Sequence, residues 1–155
     1  MGLQIGALAV RRSILIQALP ARVWQEFTTA ERIAAWLSRG HTLHSIEPRL
    51  GGKVEMSVEI DGKRRFYGGP IIVFESEREM SFQITWKEPW GVFYATTTPT
   101  FWTFRLTPLY GGTHVEIFHH GFELTGSLSA DNLEGYEEGW DVKHLKALRG
   151  LVEAS

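Results

Sequence analysis

The sequence predicts a two-layer α+β domain. A curved antiparallel sheet of six to seven strands wraps a long C-terminal α-helix, and two short helices follow the first strand. Three observations predict it. Apolar and polar residues alternate with a period of two in four separate segments between Val54 and Ile117, the pattern of half-buried strands. Glycine-bearing turns separate these segments as they do in hairpins. The last stretch, 129–153, then changes to the helical period of roughly 100° per residue. At 155 residues, 1–155 is one domain, long enough to bury a real core.

Taken in order, LAVRRSILIQA from about Leu8 to Ala18 is rich in β-branched residues and reads as the first strand. LPARVWQEF follows, with Pro20 suited to the first turn of a helix, where its missing N–H is not needed. Thr28 and Glu31 have capping-box spacing, so a second short helix over ERIAAWL starts there and ends before Gly40. In KVEMSVEI, Val54, Met56, Val58 and Ile60 alternate with charged and polar residues. Asp61-Gly62 then supplies a tight primed turn. The return through FYGGPIIVFES is interrupted at Gly68-Gly69-Pro70, which suggests a bulge or bend. MSFQITW, TFWTFRL and THVEIFHH repeat the alternation, the last two joined by a turn at Gly111-Gly112. An antiparallel sheet of this kind has one apolar face to cover, and the final helix is the only element long enough for it. On that helix Leu133, Tyr136, Trp140, Ala147 and Leu151 share one side, widened by Leu145, Leu148 and Val152. Acidic residues sit early and basic ones late, in the sense of the helix dipole.

Composition removes several function classes. A net charge of -2 gives no electrostatic reason for a nucleic-acid or anionic-membrane partner. The absence of cysteine excludes disulfides, thiolate catalysis and thiolate metal sites, and fits a cytoplasmic location. No segment approaches the ~20 apolar residues that span a membrane, and Arg11 and Arg12 follow the N-terminal apolar run where a secretory signal needs them before it. Six Trp and nine Phe are many for this length. Aromatics lining a concave space make a site for a flat or greasy ligand.

Three strings, LPARVWQEFTTAERIAAWL, GGTHVEIFHHGF and GWDVKHLKALRGLVE, in this order and spacing, carry a resemblance that covers nearly the whole chain. The chain resembles the START-like (SRPBCC) superfamily and, within it, the branch named for the activator of heat-shock protein 90 ATPase. The resemblance implies a helix-grip fold with a cavity between the long helix and the concave sheet. It implies a hydrophobic small-molecule ligand such as a lipid, a polyketide or an aromatic compound. It carries no shared catalytic residues and no cofactor. A cyclase- or hydrolase-type enzyme and a chaperone-activating interaction module are the alternatives. The eukaryotic activator has an additional N-terminal domain for which this chain has no room, so a chaperone partner does not follow from the branch name.

Candidate ligand-binding residues follow from both lines. Trp86, Trp102, Phe104, Tyr136 and Trp140 are the expected cavity wall; each alone also reads as plain core packing. His144 falls between Trp140 and Ala147 on the helical wheel, either as a polar anchor for a ligand or as a core histidine bonded to the sheet. His119 and His120 are consecutive and must face opposite ways, with His119 on the side of Val115 and Ile117. No two of the six histidines have the i, i+4 spacing of a helical zinc motif, so no metal is expected. Trp90, Phe93 and Tyr94 form either a cover over the pocket mouth or a hairpin packed on a second copy, which makes a homodimer one expected assembly.

Overall fold

Seven strands grow from the alternating segments: β1 (Ala9–Ile16), β2 (His41–Ile46), β3 (Lys53–Ile60), β4 (Lys63–Glu75), β5 (Glu79–Trp86), β6 (Thr100–Leu109) and β7 (Gly112–His120). The computed structural model describes residues 9–37, 41–88, 100–121 and 143–154. Every neighbouring pair is antiparallel, and the order across the sheet is β1-β7-β6-β5-β4-β3-β2. With α1 (Pro20–Trp24), α2 (Ala30–Leu37) and α3 (Lys143–Glu153), the architecture is the helix-grip α+β fold. The predicted inward register holds throughout. Val54, Met56, Val58, Met80, Phe82, Ile84, Trp102, Phe104, Val115 and Ile117 are all buried.

Turn chemistry sets that register. Asp61 and Gly62 both take positive φ, 53° and 75°, as the two central residues of a primed turn must. The β6–β7 turn is centred one residue earlier than expected, on Tyr110 (φ 52°) and Gly111 (φ 76°), and Gly112 already pairs with Leu109. The chain does not break at Gly68-Gly69. A Cβ on Gly68 would overlap the carbonyl oxygen of Val54 on the neighbouring strand, so glycine here permits a close approach. The irregularity expected nearby falls beyond it, where the β4–β5 register shifts between Ile71 and Val73.

The helices also differ in detail from expectation. Thr29, not Thr28, caps α2: its hydroxyl oxygen accepts from the Arg32 N–H at 3.1 Å. Thr28 instead donates to the carbonyl of Gln25 at 2.7 Å and closes the 3-10 turn Gln25–Phe27. Thr29→Ala should therefore cost about 1 kcal/mol in urea unfolding, the usual worth of an N-cap, with Thr28→Ala the milder change.

On α3 the buried stripe is Leu145, Leu148 and Val152, while Ala147 and Leu151 are exposed. The helix lies against α2 and β1, and this contact selects the i, i+3, i+7 side that sequence treated as the margin of the apolar face. The first half of the predicted long helix, including Tyr136 and Trp140, lies outside the described residues, as do Trp90, Phe93 and Tyr94.

The two short helices share the work of covering the sheet. Trp24 meets Phe74 edge-on at 5.8 Å, and Phe27 and Trp36 lie 5.2 and 6.0 Å from Phe104. Beneath them Glu26 is buried with Arg22 and Arg32 at 2.8 and 2.9 Å, and its carbonyl accepts the Trp36 indole N–H. α3 is tied to the strand side, since Glu153 accepts the Gln17 backbone N–H at 2.8 Å.

Candidate functional site

Antiparallel pairing lines up one row of side chains across the inner face: His41 on β2 opposite Val58 on β3, and Val58 opposite Arg65 on β4. One row further in stand Leu43, Met56, Tyr67 and Trp86. Cross-strand partners share a face, so the buried side of Val58 and Tyr67 is also the side on which His41 and Arg65 start. The inner face is thus apolar through its middle and polar at this end.

His41 Nδ1 and the Tyr67 hydroxyl are 2.5 Å apart, a hydrogen bond joining the two rows. The His41 pKa is lowered from 6.5 to about 4, first by withdrawal of the ring from water and then by the charge that nearby His144 can carry. By surface area the His41 residue as a whole remains exposed. His144, in the first turn of α3, is half-buried and close enough to His41 for the two to interact electrostatically. At neutral pH His41 is therefore an uncharged imidazole beside a phenol, able to donate or accept.

From this polar end an aromatic surface continues inward. Tyr67 lies 4.5 Å from Trp86 and 6.1 Å from Trp102, and Trp102 lies 5.5 Å from Phe82. Trp102 turns its indole N–H to His119 Nδ1 at 2.8 Å, while His119 Nε2 meets the Thr100 hydroxyl at 2.6 Å. Accepting at Nδ1 places the His119 proton on Nε2, so the ring is neutral with both nitrogens used inside the protein. Full burial, and then the charge of His120, hold its pKa well below the ordinary value.

Of the residues singled out from sequence, Trp86 and Trp102 belong to this aromatic surface and His144 stands at its polar end. His119 supports Trp102 from within the wall. Phe104 is packed under Phe27, Trp36 and Phe82 and forms the floor of the core beneath α1 and α2. Tyr136 and Trp140 lie outside the described residues. His41 and Tyr67 were not singled out. Tyr67 was legible as the inward neighbour of Trp86 once the Gly68 interruption is read as continuous strand; His41 needed the pairing of β2 to be known.

A groove of about 690 Å³ lies on the opposite, outer face. It runs over the row Glu55, Gly68 and Thr85, where Gly68 leaves the sheet without a side chain, and is rimmed by Lys53, Lys87 and Glu47. Its rim charges are partly paired, with Lys87 3.5 Å from Glu55. The groove contains none of the histidines, while Tyr67 and Trp86 are among its lining residues. No helix among the described residues is long and apolar enough to cross a membrane.

Comparison with known proteins places this geometry in context. The family model described as Activator of Hsp90 ATPase homolog 1-like protein matches residues 17–153. A crystal structure of a Mesorhizobium loti protein superposes with a TM-score of 0.70 at 20% identity, covering 95% of this chain and 98% of that one. A solution structure of an Arthrobacter aurescens protein gives 0.73 at 19%, covering 96% and 88%. The solution structure of the Aha1 dimer from Colwellia psychrerythraea gives 0.60 at 16%, covering 94% and 96%. At these identities the likeness is one of fold. None of the curated proteins matches the chain.

Proposed function

Since this chain belongs to the Activator of Hsp90 ATPase homolog 1-like family, a branch of a fold that commonly holds hydrophobic ligands, we propose that it binds a hydrophobic small molecule between the inner sheet face and the C-terminal helix. The observation that supports this best is the joining of the His41–Tyr67 hydrogen bond, with His144 beside it, to the aromatic surface of Tyr67, Trp86 and Trp102. Apolar surface with a few convergent polar groups is the usual make-up of a small-molecule site. The role is carriage, sensing or sequestration. His41 and Tyr67 also form an acid/base pair, which is what an enzymatic reading would draw on.

Two measurements test the proposal. Native mass spectrometry of the protein as purified should show a co-purified small molecule. Titration with fatty acids, sterols and flat aromatic ketones should change tryptophan emission, because Trp86 and Trp102 line the surface. A bare protein that answers to none of these at tens of micromolar would overturn the binding reading. The same native spectrum reads the oligomer. A homodimer is a second proposal, supported by the Colwellia relative, which is described as a dimer. Cytoplasmic residence is supported only by the lack of cysteine, and a chaperone partner only by the family's description.

A further inference from the structure

Resting on the homodimer proposed above, we infer that a second copy of this chain docks on one end of the sheet, at a patch formed by Leu19, Leu109 and Tyr110. These residues are 67%, 40% and 85% exposed. They come together because β1 ends where β7 begins. Ile16 pairs with Thr113, whose hydroxyl donates to the Ala18 carbonyl at 2.7 Å. Leu19 therefore stands beside the β6–β7 hairpin tip, where Leu109 pairs with Gly112 around Tyr110. The other exposed large apolar side chains among the described residues, Leu50, Ile72 and Leu151, also lie toward this end. None of the six stands at the opposite end, with His41 and His144.

Two residues of the patch break local rules that the fold alone would keep. Tyr110 precedes Gly111 in a primed turn and holds φ at 52°, a conformation that favours Gly, Asn or Asp. The β3–β4 hairpin meets the same demand with Asp61-Gly62. Leu19 is the N-cap of α1, a position that favours Ser, Thr, Asp or Asn, and its side chain supplies no capping hydrogen bond. Two unfavourable local choices, each exposing a large apolar side chain at one spot, point to a requirement outside the chain's own folding. Residues 1–8, 38–40, 89–99 and 122–142 each lead into or out of a strand or helix at the opposite end, which leaves a second molecule as the nearest source of cover. The rim favours a second copy over a lipid surface. Arg22 donates its backbone N–H to the Leu19 carbonyl, Glu153 accepts the Gln17 N–H, and the β4–β5 turn with Glu75, Glu77 and Arg78 is held to β6 at Leu106. Three carboxylates against two guanidiniums do not attract anionic headgroups. An apolar centre with a rim of both signs suits a two-fold dimer, in which one patch meets its own copy.

Native mass spectrometry and size-exclusion chromatography of the full chain over a range of micromolar concentrations read the assembly. Thermal melts of dilute samples read the fold. The wild type should be a dimer that dissociates on dilution. Tyr110→Asn should weaken that dimer by about tenfold or more, as loss of a central interface aromatic does, and Leu19→Ser should weaken it to a smaller extent. Both substitutions should leave the melting temperature of the dilute monomer unchanged or raised, because Asn suits the primed turn and Ser suits the N-cap. A lower melting temperature in both variants would show that these side chains serve the chain's own packing, and overturns the inference. Unaltered dimerisation in both variants also overturns it, while leaving the homodimer standing. A wild type that stays monomeric removes the homodimer and this face together. Binding of that monomer to neutral phosphatidylcholine vesicles would then make a lipid surface the occupant.

Discussion

Phe27→Ala should destabilise the protein by about 3–5 kcal/mol. The ring is fully buried and stitches three elements together: Trp24 stacks on it at 5.9 Å, Trp36 meets it edge-on at 5.1 Å, and Phe104 of the sheet lies at 5.2 Å. Truncation removes the transfer term of a whole phenyl ring. It also leaves a cavity that stiff indoles cannot collapse into. Leu151→Ala is the control. That leucine is 40% exposed, and its loss should change stability by no more than about 0.5 kcal/mol. Urea denaturation of both variants checks the pair. A Phe27→Ala protein within 1 kcal/mol of wild type, by the standard of that control, would mean the short helices do not share the core with the sheet.

His119→Leu is expected to be nearly as damaging, and it has a signature in pH. The substitution leaves the buried Thr100 hydroxyl and the Trp102 indole N–H without their present partner. Each stranded group costs about 1–3 kcal/mol. The pH dependence follows from the depressed pKa values of His119 and His41. Below about 6.5, the ordinary histidine value, the unfolded chain takes up protons that these two folded imidazoles refuse. The unfolded state therefore binds more protons, and stability falls as pH falls. For His41 the decline ends near pH 4, where the folded ring titrates as well. Wild-type melts between pH 7.5 and 4.5 should therefore show falling stability. The same series in His119→Leu should be flatter, since one of the two groups is gone. An equally steep decline in the variant would show that His119 is protonated in the folded protein.

Much of the fold could be read from the chain because the sheet's inner face is encoded locally. Val54 to Val58 and Met80 to Trp86 announce their register by alternation alone, and Asp61-Gly62 fixes the turn between strands by its φ requirements. What resisted was set by contacts distant in sequence. Leu145, Leu148 and Val152 face inward on α3 because α2 and β1 lie on that side, which no property of the helix itself specifies. Thr29 and Thr28 have nearly the same local chemistry, and a 3-10 turn decides which one caps. The site suffered most. His119 was placed on the right face, but whether its nitrogens were open depended on Trp102 and Thr100 across the sheet. His41 and Tyr67 lie 26 residues apart and meet only through the pairing of β2, β3 and β4.

The sheet order has a consequence for synthesis. β1 is made before the other strands, yet its neighbour is β7, and Arg11 meets Glu116 across 105 residues of chain. Strands β2 to β7 can zip together one hairpin after another as they leave the ribosome. β1 must wait for the last of them, holding VRRSILI without a strand partner in the meantime. Late closures of this kind slow folding and leave nascent apolar segments open to chaperones or to aggregation. Translation speed through β6 and β7 therefore governs how long that exposure lasts.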